Sequence, residues 1–320
     1  MTNKKGVAAR RIFGNNKVAL VKNQYLLYMF KIKYLTTLLL CITVITCYGQ
    51  QDGMYLLKWK LQPKEVVTYK TFMKTERGSK ADLSGFAKQM DLDTNGTGSA
   101  QMQSFMKDIE RFTPDHYLTH LEKKRGGVIK IEMVPINNKV PNDTSGTNGF
   151  SQLMSAMSTE VALRAAVYEN GAIQSFYLRN DQANIVALFF QLPGKPVKVG
   201  DTWEVGTNFI SLDQNFKCDS SFRRNNVTLS SIEKVGDDNV VTIKYNIEEF
   251  VTGNFSMPFP QSGSDIKMKS IETSFKVIYK AAARFSVKQG RWLSYEGEFE
   301  ETNTGMMAGH SLMKYALIPQ

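Results

Sequence analysis

Few residues in this chain have types and spacing that could do chemistry. Asp91-Leu92-Asp93-Thr94-Asn95-Gly96-Thr97 begins like a calcium loop. Oxygen donors stand at its first, third and fifth positions, and Gly96 supplies the sharp turn at the sixth. The twelfth position is Met102, where a bidentate Glu would complete the site, so only two charged ligands are present. The plain counterpart is a polar turn, which Asp and Asn favour through side-chain bonds to their own backbone. The only histidines are His116, His120 and His310. On a strand the first two lie four apart on one face, too widely spaced for a compact metal pair without a third ligand, and no HExxH context accompanies them. Cys218 sits in a strand-like run, Asn215-Phe216-Lys217-Cys218, with no neighbouring base to activate it. No Gly-x-Ser-x-Gly occurs, and no Gly-rich phosphate loop follows a strand. No catalytic, cofactor-binding or metal residue is therefore assigned, and the expectation is a protein that is not an enzyme. A hydrolase whose groups come together from distant parts of the chain is the open alternative. Four Asn-x-Ser/Thr sequons, at Asn95, Asn142, Asn226 and Asn254, fit chance occurrence in an Asn-rich chain.

Compartment is read more directly. Met29 is followed by Lys31 and Lys33, an apolar run from Tyr34 to Thr46, and Cys47-Tyr48-Gly49. A basic start, a hydrophobic centre and a small-residue exit are the parts of a secretory signal peptide. The thirteen-residue apolar run suits a signal, whereas a membrane-spanning helix needs about 20. Two alternatives stand beside cleavage: an uncut N-terminal anchor, and lipid modification at Cys47, where Val44 and Thr46 depart from the usual lipoprotein pattern. The organisation expected is a leader over residues 1–28 outside the folded protein, a signal peptide over 29–49, and one β-rich domain over 50–320. The setting is the periplasm, the outer-membrane periphery or the outside of a bacterial cell.

This division changes the meaning of the charge. The full chain has 40 Lys+Arg against 30 Asp+Glu. Residues 1–49 hold eight of those bases and none of the acids, which leaves 32 against 30. The balance gives no electrostatic argument for nucleic acid or an anionic membrane surface as a partner, and no nucleic acid is expected. Of three cysteines only Cys218 follows the signal, so no internal disulfide can form, and about 270 residues can bury a core without one.

The elements that must position any site read as mainly β. Tyr55, Leu57, Trp59 and Leu61 alternate with polar neighbours, as do Val67, Tyr69, Thr71 and Met73. The pattern returns over Val128 to Val134, Val161 to Tyr168, Ile173 to Leu178, Val227 to Val235, Val240 to Ile247, Ile271 to Val287 and Trp292 to Phe299. Turn residues at Gly126-Gly127, Asn170-Gly171, Gly236 to Asn239 and Gln289-Gly290 make four sequential hairpins. The expected fold is an antiparallel curved sheet or sandwich built from hairpins, with a few short capping helices. One helix is capped at Asn180-Asp181, carries Ile185, Leu188, Phe189 and Leu192 at helical spacing, and ends at Pro193. Others are expected over Ala100 to Phe112 and Gly149 to Glu160. Loops are expected over Thr75 to Ser99 and Asn137 to Asn148, and two lobes of the one domain are expected to meet near residue 193.

The most distinctive local sequence is Pro193-Gly194-Lys195-Pro196-Val197-Lys198-Val199-Gly200-Asp201-Thr202-Trp203. It reads as a rigid extended connector, a turn at Gly200-Asp201 and a strand anchored by Trp203. The segment resembles the P-x-x-P-V-x-V-G-D-x-W stretch of a family of secreted proteins of unknown function common in Bacteroidota. Tyr48-Gly49-Gln50, Leu56 to Leu61, Thr68-Tyr69-Lys70 and the hairpin from Phe285 to Trp292 fit the same resemblance, which covers most of residues 54–317. It implies export and brings no catalytic residues. The leading functional expectation is an envelope protein that binds an apolar ligand, a lipid or a lipoprotein on a concave sheet. The alternative is an interaction or scaffold protein of the envelope that binds another envelope protein and has no ligand cavity. N-terminal sequencing of the exported protein is expected to begin at Gln50 or Gln51; a start at Met1 or Met29 would overturn both the compartment and the charge argument.

Overall fold

The computed structural model describes residues 53–76, 80–82, 114–136, 161–176, 180–260, 266–305 and 308–320. The export signal, the run at Asp91 to Thr97, the helices expected over Ala100 to Phe112 and Gly149 to Glu160, and the stretch 137–148 lie outside those residues. The chain divides into two compact units, Met1–Met54 and Tyr55–Gln320, and the sheet belongs to the second.

Among the described residues the elements are β1 (Val66–Thr75), β2 (Lys80–Asp82), β3 (His116–Lys123), β4 (Val128–Pro135), β5 (Leu163–Tyr168), β6 (Ile173–Phe176), α1 (Asn180–Phe190), β7 (Thr202–Trp203), β8 (Phe216–Val235), β9 (Asp238–Pro260), β10 (Ile266–Ser286), β11 (Arg291–Thr304) and β12 (Ala308–Pro319). All pairings are antiparallel, in the order β6-β5-β4-β3-β1-β12-β11-β10-β9-β8-β7, with β2 on β12 beside that path. The edge strands β6 and β7 do not pair with each other, so the sheet stays open. It is a single sheet, not a sandwich. All four expected hairpins are present, as β3–β4, β5–β6, β8–β9 and β10–β11. The stretches on either side of residue 193 both contribute strands to one sheet. Within the loop expected from Thr75, β2 forms a short strand.

The sheet is rolled, and two consecutive residues prove it. Trp59 N–H donates to Glu169 O, just past β5, and Lys60 N–H donates to Gly290 O, in the β10–β11 turn. Five strand spacings separate β5 from β11, about 24 Å in a flat sheet. Neighbouring residues can reach both only if the sheet curls until those two ends approach. The expected strand over Tyr55 to Leu61 is in fact this staple. Its alternation is real, with Leu57, Trp59 and Leu61 all buried, but only Tyr55 makes a ladder-like bridge, to Val197. It lies so close to the β10–β11 turn that a Cβ on Gly290 (φ +62) would come within 2.5 Å of Lys58 O. Glycine is required there for both space and backbone angle.

Helix α1 fills the rolled end. Val186, Ala187, Leu188, Phe189 and Phe190 are all buried, so its second half is apolar all round, as a helix enclosed by protein must be. An α-helix leaves its last four carbonyls without partners, and burying them unpaired costs about 1–3 kcal/mol each. Two indoles answer this: Trp292 Nε1–H donates to Phe189 O at 2.6 Å, and Trp59 Nε1–H donates to Phe190 O at 2.9 Å. The two tryptophans meet edge to face at 5.8 Å, and each packs edge-on against Phe285.

At the staple's end Glu65 accepts from Gln62 N–H and from Arg291, at 2.7 Å each. The Gln62 N–H, and then the guanidinium, hold the Glu65 carboxyl below the usual Glu range. A lowered folded-state value stabilises the fold above the unfolded value of about 4.3. That stability is lost as pH falls through the folded value. Glu65→Gln is expected to flatten the acid limb of stability against pH and to leave the neutral-pH slope unchanged, measured by urea unfolding at stepped pH.

Candidate functional site

The structure distributes the chemically suggestive residues without gathering them. His116 pairs with its neighbour Asp115 and stands edge-on to Phe72, 4.6 Å between centroids. His120 Nδ1 bonds Thr68 Oγ1 at 3.0 Å, and His310 lies on β12 near Thr302 and Glu300. The exposed Cys218 thiol donates to Ser220 O, at 3.6 Å. Among the described residues no group of three His, Cys, Asp or Glu side chains could hold a metal ion.

The Pro-rich connector does as its sequence implies. Val197 is fully buried and bridges Tyr55, Lys198 N–H bonds Asp201 Oδ2, and Gly200 (φ +90) turns the chain so that β7 docks on β8 at Thr202–Trp203. Trp203 is 9% exposed and packs into the core, and its indole N–H has no partner among the described residues.

The inner face of the roll is layered. Beside the indoles sits a buried tyrosine group, with Tyr279 Oη 2.5 Å from Tyr295 Oη and Tyr245 packed on both rings. Burial pushes the Tyr279 and Tyr295 hydroxyls well above the usual tyrosine value, so both stay neutral. Further along the same face, residues 204–210 run beneath β8 and β9 as a strap. Five side chains hold it by standing in for backbone: Gln191 Oε1 accepts from Gly206 N–H, Arg223 donates to Thr207 O, and Asn225, Asn184 and Glu249 each make two bonds to its backbone. Asn225 accepts from Val205 N–H and donates to Val205 O; Asn184 of α1 accepts from Asn208 N–H and donates to Asn208 O. Glu249 Oε2 accepts from both Phe209 N–H and Ile210 N–H, at 2.9 and 3.1 Å. Glu249 is buried, and its other oxygen faces Arg223 Nε at 3.6 Å without a hydrogen bond. The strap seats Phe209 against Phe299 and Tyr279.

Beyond the tyrosines and the strap, the inner face changes character. Met73, Phe209, Phe275, Phe299, Met313 and Tyr315 all face inward, yet each is only half-buried. Deeper residues of the same strands, Tyr69, Tyr279, Tyr295 and Leu317, are fully buried. The inner face is therefore sealed at the α1 end and apolar but accessible at the other. On the opposite, solvent-facing side a groove of about 780 Å³ crosses β1 and β9 to β12, with Phe72, Ala282 and Ala316 in its floor. Four lysines and three glutamates surround it, so its charge is nearly balanced and selects no ligand by sign.

Sequence reasoning missed Glu249, Asn225 and Asn184. Glu249 left a trace: it occupies the inward phase of an otherwise apolar alternation, Val241, Ile243, Tyr245, Ile247, Val251. No protein-family model matches this chain, and no curated protein matches it.

Glu249→Ala leaves two strap N–H donors without their acceptor and removes the carboxylate that faces Arg223. A loss of about 3 kcal/mol is expected in urea unfolding. Amide exchange should rise at Phe209 and Ile210 while the amides of α1 stay protected; equal loss of protection in α1 would show that Glu249 supports the whole roll and not the strap.

Proposed function

We propose that this chain is an exported, non-enzymatic binding protein of the bacterial envelope, and that it holds an apolar ligand, a lipid chain, on the inner face of its rolled sheet. One observation carries the reading: a rolled apolar face closed at one end by α1, Trp59 and Trp292, and lined at the other by half-buried Met73, Phe275, Phe299 and Met313. Sites for small apolar ligands are concave and lined by hydrophobic and aromatic side chains, with a few placed polar groups. Methionine at such a wall adapts to flexible chains. The hydrogen-bonded pair Thr71–Thr119, at 2.7 Å, and the second Glu249 oxygen are among the polar groups within the same face. Export rests on the residues from Met29 to Gly49. No helix among the described residues is long and apolar enough to cross a membrane.

Native mass spectrometry of protein recovered from a bacterial periplasm is expected to show bound lipid. Phe299→Glu should abolish that mass and keep the far-UV circular dichroism. Repeated recovery of the bare chain, together with no response to a fluorescent fatty-acid probe, would exclude the reading.

A further inference from the structure

Among the described residues the outer edge of β8 is open. β8 is a 20-residue strand, and β7 pairs with it only at Val227 and Thr228. Leu229 adds two backbone bonds, from Gly200 N–H and to Asp201 O. All of Lys217 to Arg224 is exposed. The Leu229 bonds fix which backbone groups point away from β9. Irregularities in the ladder fall only between Cys218 and Ser220 and between Leu229 and Ser231. Outward groups therefore alternate back from Leu229 through Val227 and Asn225 to Arg223 and Ser221. Asn225 lies beside the strap, holding Val205, and Asp219 is the bulged residue. The regular, uncovered stretch is thus Ser220 to Arg224, and its midpoint is Phe222.

Phe222 is itself unusual. It is 47% exposed, lies on the solvent side opposite Phe250, and carries the Arg224 guanidinium 5.6 Å above its ring. An exposed aromatic centred on an unpaired strand edge invites pairing with another strand.

We propose that this edge pairs antiparallel with the same edge of a second copy, about a twofold axis at Phe222. In that register Phe222 faces the second copy's Phe222, Ser220 faces its Arg224, and Ser221 faces its Arg223. No like charges oppose one another, and Asp219 stands at the end of the run where the second copy's Arg224 arrives. Ser221 and the second copy's Arg223 exchange both backbone bonds, and the symmetric pair repeats them. Other centres fail. An axis at Arg223 opposes two guanidinium groups and runs into the strap, and an axis at Ser221 or Ser220 brings the bulged Asp219 into the ladder. The sheet then continues from one copy to the next, and the two Phe222 rings and their Phe250 neighbours form one aromatic row.

Sedimentation velocity of the purified protein from low to high micromolar concentration is expected to show a monomer–dimer equilibrium. Ser221→Pro removes only an outward N–H and leaves the β8–β9 ladder intact, so it should weaken dimerisation at least tenfold. Phe222→Asp, at an exposed position, should do the same, and both should keep the circular dichroism and melting temperature of the parent. Phe222→Cys combined with Cys218→Ser should form a disulfide-linked dimer under mild oxidation, since paired strand residues lie within disulfide reach. A wild-type monomer throughout the range would overturn the proposal, and so would a dimer that survives both Ser221→Pro and Phe222→Asp. Lipid binding by the inner face is read separately, so failure of either proposal leaves the other standing or falling by its own result.

Discussion

Two indole N–H groups hold this fold at its most demanding point. A helix that ends inside a core must find donors for carbonyls that water would otherwise serve. Here Trp292 comes from the sheet and Trp59 from the staple, and each donates to one of two successive carbonyls at the end of α1. Satisfying the helix end therefore fixes three separate parts of the chain against one another. The roll follows from it: with α1 pinned to both β11 and the staple, the two flanks of the sheet have to curl round the helix. Pro193 prevents the helix from running on past those donors.

The same device recurs wherever irregular backbone is buried. The strap over 204–210 has no ladder of its own, so Asn184, Asn225 and Glu249 supply side-chain amides and a carboxylate in its place. Each is costly to bury alone and well satisfied as placed. A regular strand in that position would have extended the sheet. The strap leaves the β8 edge early and crosses beneath it, which is why the edge stays bare beyond Asn225.

Much of the fold was legible because period-two alternation and glycine turns are local signals. The hairpins at Gly126-Gly127, Asn170-Gly171, Gly236 and Gly290 stand where the residues place them. Other features depend on what the chain meets in space. Residues 217–224 of β8 face solvent on both sides, so their pattern carries no apolar phase to read. β12 hides its strand in Ala308 to Lys314, where small and polar residues blur the alternation. Leu57, Trp59 and Leu61 alternate faithfully and still form no ladder, because alternation reports burial on one face and says nothing about hydrogen-bond partners. The site was least legible, since Glu249 draws its meaning from a strap 39 and 40 residues earlier in sequence.

The pairing of β1 with β12 has a consequence for how the molecule is made. It joins Tyr69 to Pro319 in the middle of the sheet, between one half built from β3 to β6 and another from β7 to β11. Each half consists largely of neighbours in sequence and can condense quickly by itself. Their seam is a contact of very long range, and such contacts form late and slowly. Until the last strand arrives, β1 and β11 each present an unpaired edge, the kind of surface that aggregates or recruits a chaperone. The inner face is shaped only when that seam closes, so that concave surface is the final thing this chain acquires.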